Sequence, residues 1–328
     1  MLVPTLNSQR TLPACLDAVR AQDYPGGSVE IVVADGGSQD DTIAIARRYG
    51  ARIVHNALVS GEAGKAAAFR ASNGEFVALV DSDNIVIGND WLRRMVAPFA
   101  DPTIVGTEPI AFVAERSDTV VDRYCAIFGL NDPLCLFIGN YDRMCAATGK
   151  WTGLPLRTEE CGDYVAVALD RPVLPTFGAN GTVYRRSALA PYVGDYLMDI
   201  DIPIRIAHER PGLRFAKVRT SIRHLFCRDA GAFVRKQKRR IRDYFATPVT
   251  GEQRAYPWGG MVGPGIARFV VACVSGVPLL VQSLRAYRRC GDPAAFFHPV
   301  ACWLTLYVYG TNFLFARGKA LGRAGWRQ

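Results

Sequence analysis

Short apolar runs alternate with stretches of helical periodicity along the first 110 or so residues. Four runs have the length and composition of buried strands: 2–4, 29–34, 51–55 and 76–80. Three segments between them carry apolar or small residues at helical spacing: 11–22, 43–46 and 61–72. Strands that alternate with helices in this way indicate βαβ units. We therefore expect an α/β fold around a mostly parallel central sheet.

Carboxylates directly follow two of the predicted strands. Asp35 ends the second strand, and Asp81 and Asp83 follow the fourth within the sequence Asp-Ser-Asp-Asn. Ligands of open parallel sheets bind beyond the carboxyl ends of the strands, so we expect a site here. Neighbouring carboxylates repel each other, and a hard divalent cation, Mg²⁺ or Mn²⁺, would allow both to stay ionised while it held a diphosphate. A solvated turn rich in Asp, Ser and Asn is the alternative.

The glycine turn at 36–37 lacks the third glycine of a dinucleotide fingerprint, which disfavours a nicotinamide dehydrogenase. Four segments instead resemble the nucleotide-binding half of the family-two inverting glycosyltransferases, which have the GT-A fold. They are residues 3–7, 33–42, 61–73 and 79–84. The resemblance implies that Asp35 hydrogen-bonds the nucleotide base, most often uracil. It also implies that Asp83 holds a divalent cation on the diphosphate, with Asp81 in support.

A glycine-rich segment and a carboxylate continue the resemblance in the second half of the chain. Residues 177–186 resemble the strand beside the acceptor, and Met198-Asp199 stands where the family usually has Glu-Asp. The resemblance implies that Asp199 is the catalytic base, and a carboxylate suits the removal of a proton from an acceptor hydroxyl. Asp201 is the alternative base, because only the motif separates the two. A structural role at a helix N-terminus is the other alternative for Asp199.

Residues 235–242 form a strongly basic run. Within it, Gln237-x-x-Arg240 resembles the family's Gln-x-x-Arg-Trp element, with Ile241 in place of Trp. The resemblance implies a position near the diphosphate, where Arg240 would offset charge on the departing nucleoside diphosphate. A solvated helix face or a membrane-surface patch is the alternative. His224 stands where some relatives have an imidazole near the metal, and a structural histidine is its alternative.

The resemblance thus implies three groups of site residues. Asp199 is the catalytic base. The metal ligands are Asp83 and Asp81, with His224 as a further candidate, and the cofactor is Mn²⁺ or Mg²⁺. The residues that bind the nucleotide sugar are Pro4, Thr5, Asn7, Asp35, Lys65, Asp81, Asp83, Gln237 and Arg240.

The 328 residues suffice for one large α/β domain and an appendage. We assign 1–250 to the GT-A domain, with a nucleotide-binding half at 1–110 and an acceptor half at 111–250, and 260–328 to a hydrophobic helical region. Nine scattered cysteines without a Cys-x-x-Cys pair indicate reduced thiols in the cytoplasm, and no signal peptide is expected before the first strand. The net charge of +9 would allow a nucleic-acid partner, but the sequence has no nucleic-acid motif, so none is expected.

Two uncharged segments lie near the end of the sequence, 16 residues at 269–284 and 23 residues at 294–316. A spanning helix needs about 20 apolar residues, so the second segment is long enough. Full spanning would place the three arginines between the segments outside, against the positive-inside rule. We therefore expect an interfacial or re-entrant hairpin on the cytoplasmic face of the cell membrane. Two buried core helices are the alternative.

These inferences favour a metal-dependent, membrane-associated inverting glycosyltransferase. It would move a sugar from a nucleotide donor, most often a UDP-sugar, to a hydroxyl of a lipid-linked or polysaccharide acceptor. A polyprenyl-phosphate sugar synthase is an alternative within the class, and a non-catalytic membrane scaffold that retains the fold is an alternative outside it. Trp151, in a glycine-flanked loop, is either a platform for a sugar ring or a packing residue.

Overall fold

The described part of the chain contains ten strands and twelve α-helices. The computed structural model describes residues 1–178, 180–246, 255–257 and 263–324, and of 243–246 and 314–324 it describes the backbone alone. The strands are β1 (Leu2–Thr5), β2 (Val32–Asp35), β3 (Arg52–His55), β4 (Phe76–Leu79), β5 (Asn84–Val86), β6 (Ile104–Val113), β7 (Thr158–Glu160), β8 (Tyr164–Ala168), β9 (Thr182–Arg185) and β10 (Arg214–His224). The helices are α1 (Leu12–Arg20), α2 (Thr42–Arg48), α3 (Gly61–Ala71), α4 (Trp91–Val96), α5 (Val120–Phe128), α6 (Leu134–Ile138), α7 (Arg186–Leu189), α8 (Ile202–Glu209), α9 (Ala230–Ala246), α10 (Gly263–Ser275), α11 (Val277–Cys290) and α12 (His298–Ala324).

All ten strands join one mixed sheet. Its order is β3-β2-β1-β4-β9-β6-β10-β8-β7, and β5 pairs with one end of β10. The half from β3 to β4 is parallel throughout, and so is the β6–β10 pair. β9 runs antiparallel between β4 and β6, while β8 and β7 form an antiparallel edge. The predicted α/β fold, with a parallel nucleotide half, is confirmed.

The inner parallel strands β1, β2 and β4 are largely apolar because both of their faces are buried. Leu2 and Val32 point into one hydrophobic core, and their chain neighbours Val3 and Val33 point into a second core on the other face of the sheet. Helices α3 and α8 cover the first core, and α1, α2 and α4 cover the second. Double burial gives continuous apolar runs instead of alternation, which is why these strands were found from the sequence. The second strand begins at Val32, three residues later than predicted.

The C-terminal helices pack on the acceptor half of the fold. A third core joins the aromatic rings of α5 and α9 to Ala286 of α11 and Ala301 of α12. A fourth, smaller core joins Phe137 of α6 to Phe269 and Cys302. We predicted a boundary between the GT-A domain and the hydrophobic region at residues 250–260. The residues on its two sides share hydrophobic cores, so the C-terminal helices pack as part of the same body.

Neither uncharged segment forms a helix that could cross a bilayer by itself. Across the described ranges, no single helix combines the length and the hydropathy that a span requires. Helices α10 and α11 meet both requirements only as a pair, and they are bent by 91° where Gly276 takes a positive φ of 70°. Spanning C-terminal helices are therefore not supported.

Candidate functional site

Asp35 is buried at the carboxyl end of β2. Its Oδ1 accepts hydrogen bonds from the hydroxyls of Thr5 and Ser38 at 3.0 and 2.5 Å. Its Oδ2 accepts from the N–H groups of Gly37 and Ser38, both at 2.8 Å. Burial would raise the pKa of Asp35, but these bonds outweigh it and hold the pKa below its usual value. The carboxylate is therefore ionised and held in one orientation.

The loops after β1 and β2 are tied together beside Asp35. The N–H of Asn7 donates to Oγ of Ser38, and Oδ1 of Asn7 accepts from the N–H of Gln39, both at 2.8 Å. Pro4 packs under α3, where a Cβ added to Gly64 would lie 2.8 Å from the Cβ of Pro4. The structure thus brings four of the predicted nucleotide residues to one end of β1 and β2: Pro4, Thr5, Asn7 and Asp35.

The acidic turn after β4 lies against the end of β10. β5 pairs antiparallel with β10, so His224 stands opposite Asn84, and its Nε2 lies 3.5 Å from Oδ1 of Asp83. Lys236 of α9 reaches Oδ2 of Asp83, also at 3.5 Å. Burial raises the pKa of Asp83, but His224 and Lys236 outweigh it and hold the pKa below its usual value. No motif singled out Lys236, although it belongs to the basic run.

The side chains around Asp83 fit a divalent cation that is shared with a diphosphate. In the part of the chain that the structure describes, no three His, Cys, Asp or Glu side chains are grouped closely enough to hold an ion alone. Mg²⁺ is commonly held by one or two side chains and completed by substrate phosphates and water. Nδ1 of His224 lies 3.3 Å from the amide of Asn131, whose buried Oδ1 has no partner among the described residues. With that oxygen turned toward His224, Nδ1 would donate to it and leave Nε2 as the ligand atom beside Asp83.

Lys65 of α3 joins Asp81 to Asp199. Its Nζ lies 2.6 Å from Oδ2 of Asp199 and 3.3 Å from Oδ1 of Asp81, and 6 % of its side chain is exposed. Burial lowers the pKa of Lys65, but Asp199 and Asp81 outweigh burial and raise the pKa above its usual value, so the ammonium stays charged. The hydroxyl of Ser60 caps α3, and Gly64 lets the helix approach β1, which places Lys65 over the strand ends. Two carboxylates predicted for different roles thus meet around one ammonium.

The two candidate bases face different surroundings. Oδ1 of Asp199 accepts from the N–H of Ile200 at 2.9 Å, Oδ2 contacts Lys65, and the side chain is 15 % exposed. Asp201 is buried, and its Oδ1 accepts from the N–H of Tyr256 at 3.0 Å. Asp201 precedes α8 but makes no capping hydrogen bond with its side chain. The geometry therefore favours Asp199 as the carboxylate that a substrate can reach.

Gly178 lets the glycine-rich segment lie directly against Asp199. Its φ is +116°, and a Cβ added here would lie 2.1 Å from the carbonyl oxygen of Asp199. Only glycine adopts this conformation without strain, and only a residue without a side chain fits the gap. The position of Asp199 therefore depends on the segment that precedes β9.

Gln237 and Arg240 connect α9 to the loop after α5 and to α12. Nε2 of Gln237 donates to the carbonyl of Asn131 at 2.9 Å, and its Oε1 accepts from Arg240 at 2.9 Å. The hydroxyl of Tyr309 lies 3.0 Å from the same Oε1 and 2.5 Å from Oδ2 of Asp132. Arg240 also donates to the carbonyl of Asn131 at 3.2 Å. These contacts are structural, and the predicted role of both residues in nucleotide binding stays a prediction.

A buried charge cluster supports the glycine-rich segment from behind. Oε2 of Glu108 lies 2.7 Å from both Arg143 and Lys217, and all three residues are fully buried. Oε1 of Glu108 accepts from the N–H of Gly178 at 3.1 Å and from the hydroxyl of Thr182 at 3.0 Å. Burial raises the pKa of Glu108, but the two cations outweigh it and lower the pKa. Sequence reasoning missed this cluster, and the available signal was a charge inside an apolar strand.

Trp151 packs against the domain and also borders a cavity. Its ring stacks on that of Phe177, with the ring centres 6.1 Å apart, and Nζ of Lys217 lies 5.6 Å from the centre of the indole. The cavity has a volume of about 290 Å³ and is also lined by Met144 and Lys150. The packing interpretation is supported, and the sugar platform stays a prediction.

Several curated proteins resemble part of this chain. Over 132 residues, the chain is 27 % identical to the glycosyltransferase AglE of Haloferax volcanii, which covers 38 % of this chain and 43 % of that protein. Over 107 residues, it is 34 % identical to the poly(ribitol-phosphate) beta-N-acetylglucosaminyltransferase TarS of Staphylococcus aureus, which covers 31 % of this chain and 18 % of that protein. The chain therefore matches less than half the length of these two relatives.

The mannosyltransferase PcManGT from Pyrobaculum calidifontis, solved in complex with GDP-Man and Mn²⁺, shares the fold. The TM-score is 0.51 at 18 % identity, over 94 % of this chain and 85 % of that one. A family model described as glycosyl transferase family 2 matches residues 1–189. These residues include β1, β2, β4 and β9 and, with them, Asp35, the acidic turn and Lys65. Because the match extends over more than half of the sequence and over the strands that build the site, the chain belongs to glycosyl transferase family 2.

Proposed function

We propose that this chain is an inverting glycosyltransferase that moves a sugar from a nucleotide donor, in the first place a UDP-sugar, to an acceptor hydroxyl. One observation carries the proposal: Lys65 contacts both Asp81, beside the candidate metal site, and Asp199, the candidate base. The groups that would act on the donor and on the acceptor are therefore neighbours. Membership of glycosyl transferase family 2 supports the same reaction class.

The donor would bind beyond the carboxyl ends of β1, β2 and β4. Asp35 already accepts four hydrogen bonds, which matches the capacity of a carboxylate. The hydroxyl oxygens of Thr5 and Ser38, whose protons point to Asp35, would therefore serve as acceptors for a base N–H. A divalent cation at Asp83 and His224 would supply positive charge against which the nucleoside diphosphate leaves.

Asp199 would accept the proton of the attacking hydroxyl. The contacts of its two oxygens to Ile200 and Lys65 hold the carboxylate in one orientation, as a positioned base requires. The hydroxyl oxygen attacks the anomeric carbon from the face opposite the departing diphosphate, so the configuration inverts. The bond to the acceptor forms as the bond to the diphosphate breaks, and no covalent enzyme intermediate is needed.

We further propose a lipid-linked or polysaccharide acceptor. TarS, one of the relatives, is named as a transferase that acts on poly(ribitol phosphate), which is a polymer. Trp151 and the cavity beside it lie in the acceptor half, where an extended sugar chain could pack on the indole. A polyprenyl-phosphate acceptor would differ in mechanism, since its phosphate oxygen attacks without the help of a base.

Transfer from a panel of UDP- and GDP-sugars, measured with and without Mn²⁺, tests the proposal. We expect turnover that is lost in excess EDTA and nearly abolished in Asp83→Ala, with the far-UV circular dichroism unchanged. Asp199→Asn should lower turnover by ~10²–10⁴-fold, the usual contribution of a positioned base, while nucleotide affinity stays constant. Asp201→Asn is the matched control, because that carboxylate faces Tyr256.

The outcomes separate the candidate functions. Full turnover of Asp199→Asn with a polyprenyl phosphate would assign the chain to the polyprenyl-phosphate sugar synthases. If no donor is turned over and no nucleotide binds, the chain is not a transferase and the scaffold alternative holds.

A further inference from the structure

The outward side of the three C-terminal helices is apolar. Large apolar side chains are exposed on α10, α11, α12 and the turn before α12, and we call them together the apolar face. They are Ile266, Val270, Val271, Val274, Val277, Leu280, Val281, Leu284, Tyr287, Phe296, Val300, Trp303, Tyr307 and Phe313. On a typical soluble monomer exposed large apolar residues are scattered singly, whereas these fourteen lie on three helices that pack against one another and on the turn between two of them. Such a concentration indicates a surface that is covered in use.

These helices are apolar on their outward side as well as in the cores that they share with the rest of the protein. Val271 and Val274 are 65 % and 77 % exposed, whereas Ser283, His298 and Thr305 are fully buried against the rest of the protein. A helix on a soluble protein turns its apolar stripe inward and its polar side outward. The apolar face therefore suits an apolar medium better than it suits water.

The charges at the apolar face are of one sign. Between residues 263 and 313 the sequence has four arginines and a single acid, Asp292. Asp292 is paired with Arg123 at 2.6 Å, whereas Arg285 and Arg288 are exposed among the apolar residues of α11. A twofold dimer through this face would bring arginine toward arginine with no acid to offset the repulsion. Anionic lipid headgroups would complement these arginines instead.

The aromatic residues and the bend complete the features expected of an interfacial surface. Trp303 and Tyr307 lie one turn apart on α12 and are 58 % and 67 % exposed. Both types of ring favour the headgroup level of a bilayer, because one edge of each ring is apolar and the other is polar. The 91° bend at Gly276 lets α10 and α11 lie along a surface that neither helix crosses.

We propose that the apolar face docks the enzyme on an anionic lipid bilayer, with α10, α11 and α12 lying in the interface. Helices of this kind bury their apolar side in the boundary between headgroups and acyl chains. The inference deepens the proposed function by placing the transferase where a lipid-linked acceptor is found, and it rests on that function only for this purpose. Binding to vesicles needs neither donor nor acceptor, so the two proposals can fail separately.

Flotation of the full-length protein with vesicles tests the docking. The vesicles contain either phosphatidylcholine alone or phosphatidylcholine with about 30 % phosphatidylglycerol, whose anionic headgroups attract basic side chains, and each is tested at low and high salt. The double variant Val271→Glu/Val274→Glu places charges in the centre of the face. Ile87→Glu is the matched control, since Ile87 is an exposed apolar residue outside the face. Circular dichroism and a cooperative urea transition confirm that each variant is folded.

We expect the wild-type protein and Ile87→Glu to float with the anionic vesicles, and the double valine variant to bind them at least tenfold more weakly. Arg285→Gln/Arg288→Gln should lose the preference for anionic over neutral vesicles, and high salt should have the same effect on the wild-type protein. Absence of vesicle binding by the folded wild-type protein would overturn the proposal. A dimer that the valine substitutions dissociate, without vesicle binding, would also overturn it and assign the face to a second copy of the chain.

Discussion

Replacement of Lys65 tests how the site is held together. Lys65→Met removes the ammonium and keeps an unbranched side chain. The carboxylates of Asp81 and Asp199 lie within about 6 Å of each other, because they contact one Nζ at 3.3 and 2.6 Å. With an effective dielectric constant of ~20, two like charges at that distance repel by about 3 kcal/mol. Loss of one partner from a buried ion pair typically costs ~3–5 kcal/mol.

Asp81 is 31 % exposed, so water screens part of the repulsion and the loss should lie at the lower end of that range. We expect the free energy of unfolding in urea to fall by about 3 kcal/mol. Turnover should fall as well, because Asp199 loses the contact that orients it. Lys150→Met is the matched control at an exposed lysine and should change the free energy by less than ~0.5 kcal/mol.

The double variant Lys65→Met/Asp81→Asn separates repulsion from lost packing. It lacks one of the two negative charges that repel each other, so its free energy of unfolding should exceed that of Lys65→Met by at least ~1 kcal/mol. If Lys65→Met unfolds within ~1 kcal/mol of the wild-type protein, or if the second substitution restores nothing, the electrostatic reasoning is refuted. Reduced stability with unchanged turnover would leave Lys65 with a structural role only.

Three further substitutions or conditions have defined outcomes. Gly178→Ala should lower turnover at least tenfold, because the added Cβ would displace the carbonyl of Asp199. Gly162→Ala is the control: Gly162 also has a positive φ but lies in open surroundings, so the substitution should lower stability without changing turnover. Burial lowers the pKa of His298 to about 3, so the folded protein holds a neutral imidazole that the unfolded chain protonates near pH 6.5. The contribution of His298 to the free energy of unfolding is therefore fully present above pH 6.5 and is lost as the pH falls toward 3; at pH 5 about 2 kcal/mol of it has been lost. The urea midpoint should therefore fall with decreasing pH in the wild-type protein, and it should fall less steeply in His298→Gln. A chain that ends at residue 262 should lose cooperative unfolding, as monitored by circular dichroism, because the third hydrophobic core would be open.

The nucleotide half could be predicted because its signals are local. The strands β2 and β4 begin with continuous apolar runs, and the carboxylates Asp35, Asp81 and Asp83 come at or just after the ends of those runs. The carboxyl ends of parallel strands meet at one edge of the sheet, so these carboxylates could be expected to lie near one another before the strand order was known. The choice between Asp199 and Asp201 rested on a motif, and the structure adds the reason: the side chain of Asp201 is buried and bonded to Tyr256.

The remaining parts of the site depend on contacts between distant residues. Lys65 and Asp199 are 134 positions apart, and no local pattern shows that they meet. Gln237 turns inward because Asn131 and Tyr309, from a loop and from the last helix, supply its partners. The two uncharged segments have the composition of membrane helices, but Gly276 divides the first of them with a sharp bend. Composition alone does not encode that division.

The third hydrophobic core sets an order of events during synthesis of the chain. Aromatic rings of α5 and α9 pack against Ala286 and Ala301. These rings therefore stay partly exposed to water until α12 has emerged from the ribosome. The hydrogen bond between Gln237 and Tyr309 also requires α12. The βαβ units of the nucleotide half need only the first 110 or so residues and can assemble early. The acceptor half is completed last, and the nascent chain therefore gains its finished site and its apolar face at the same time.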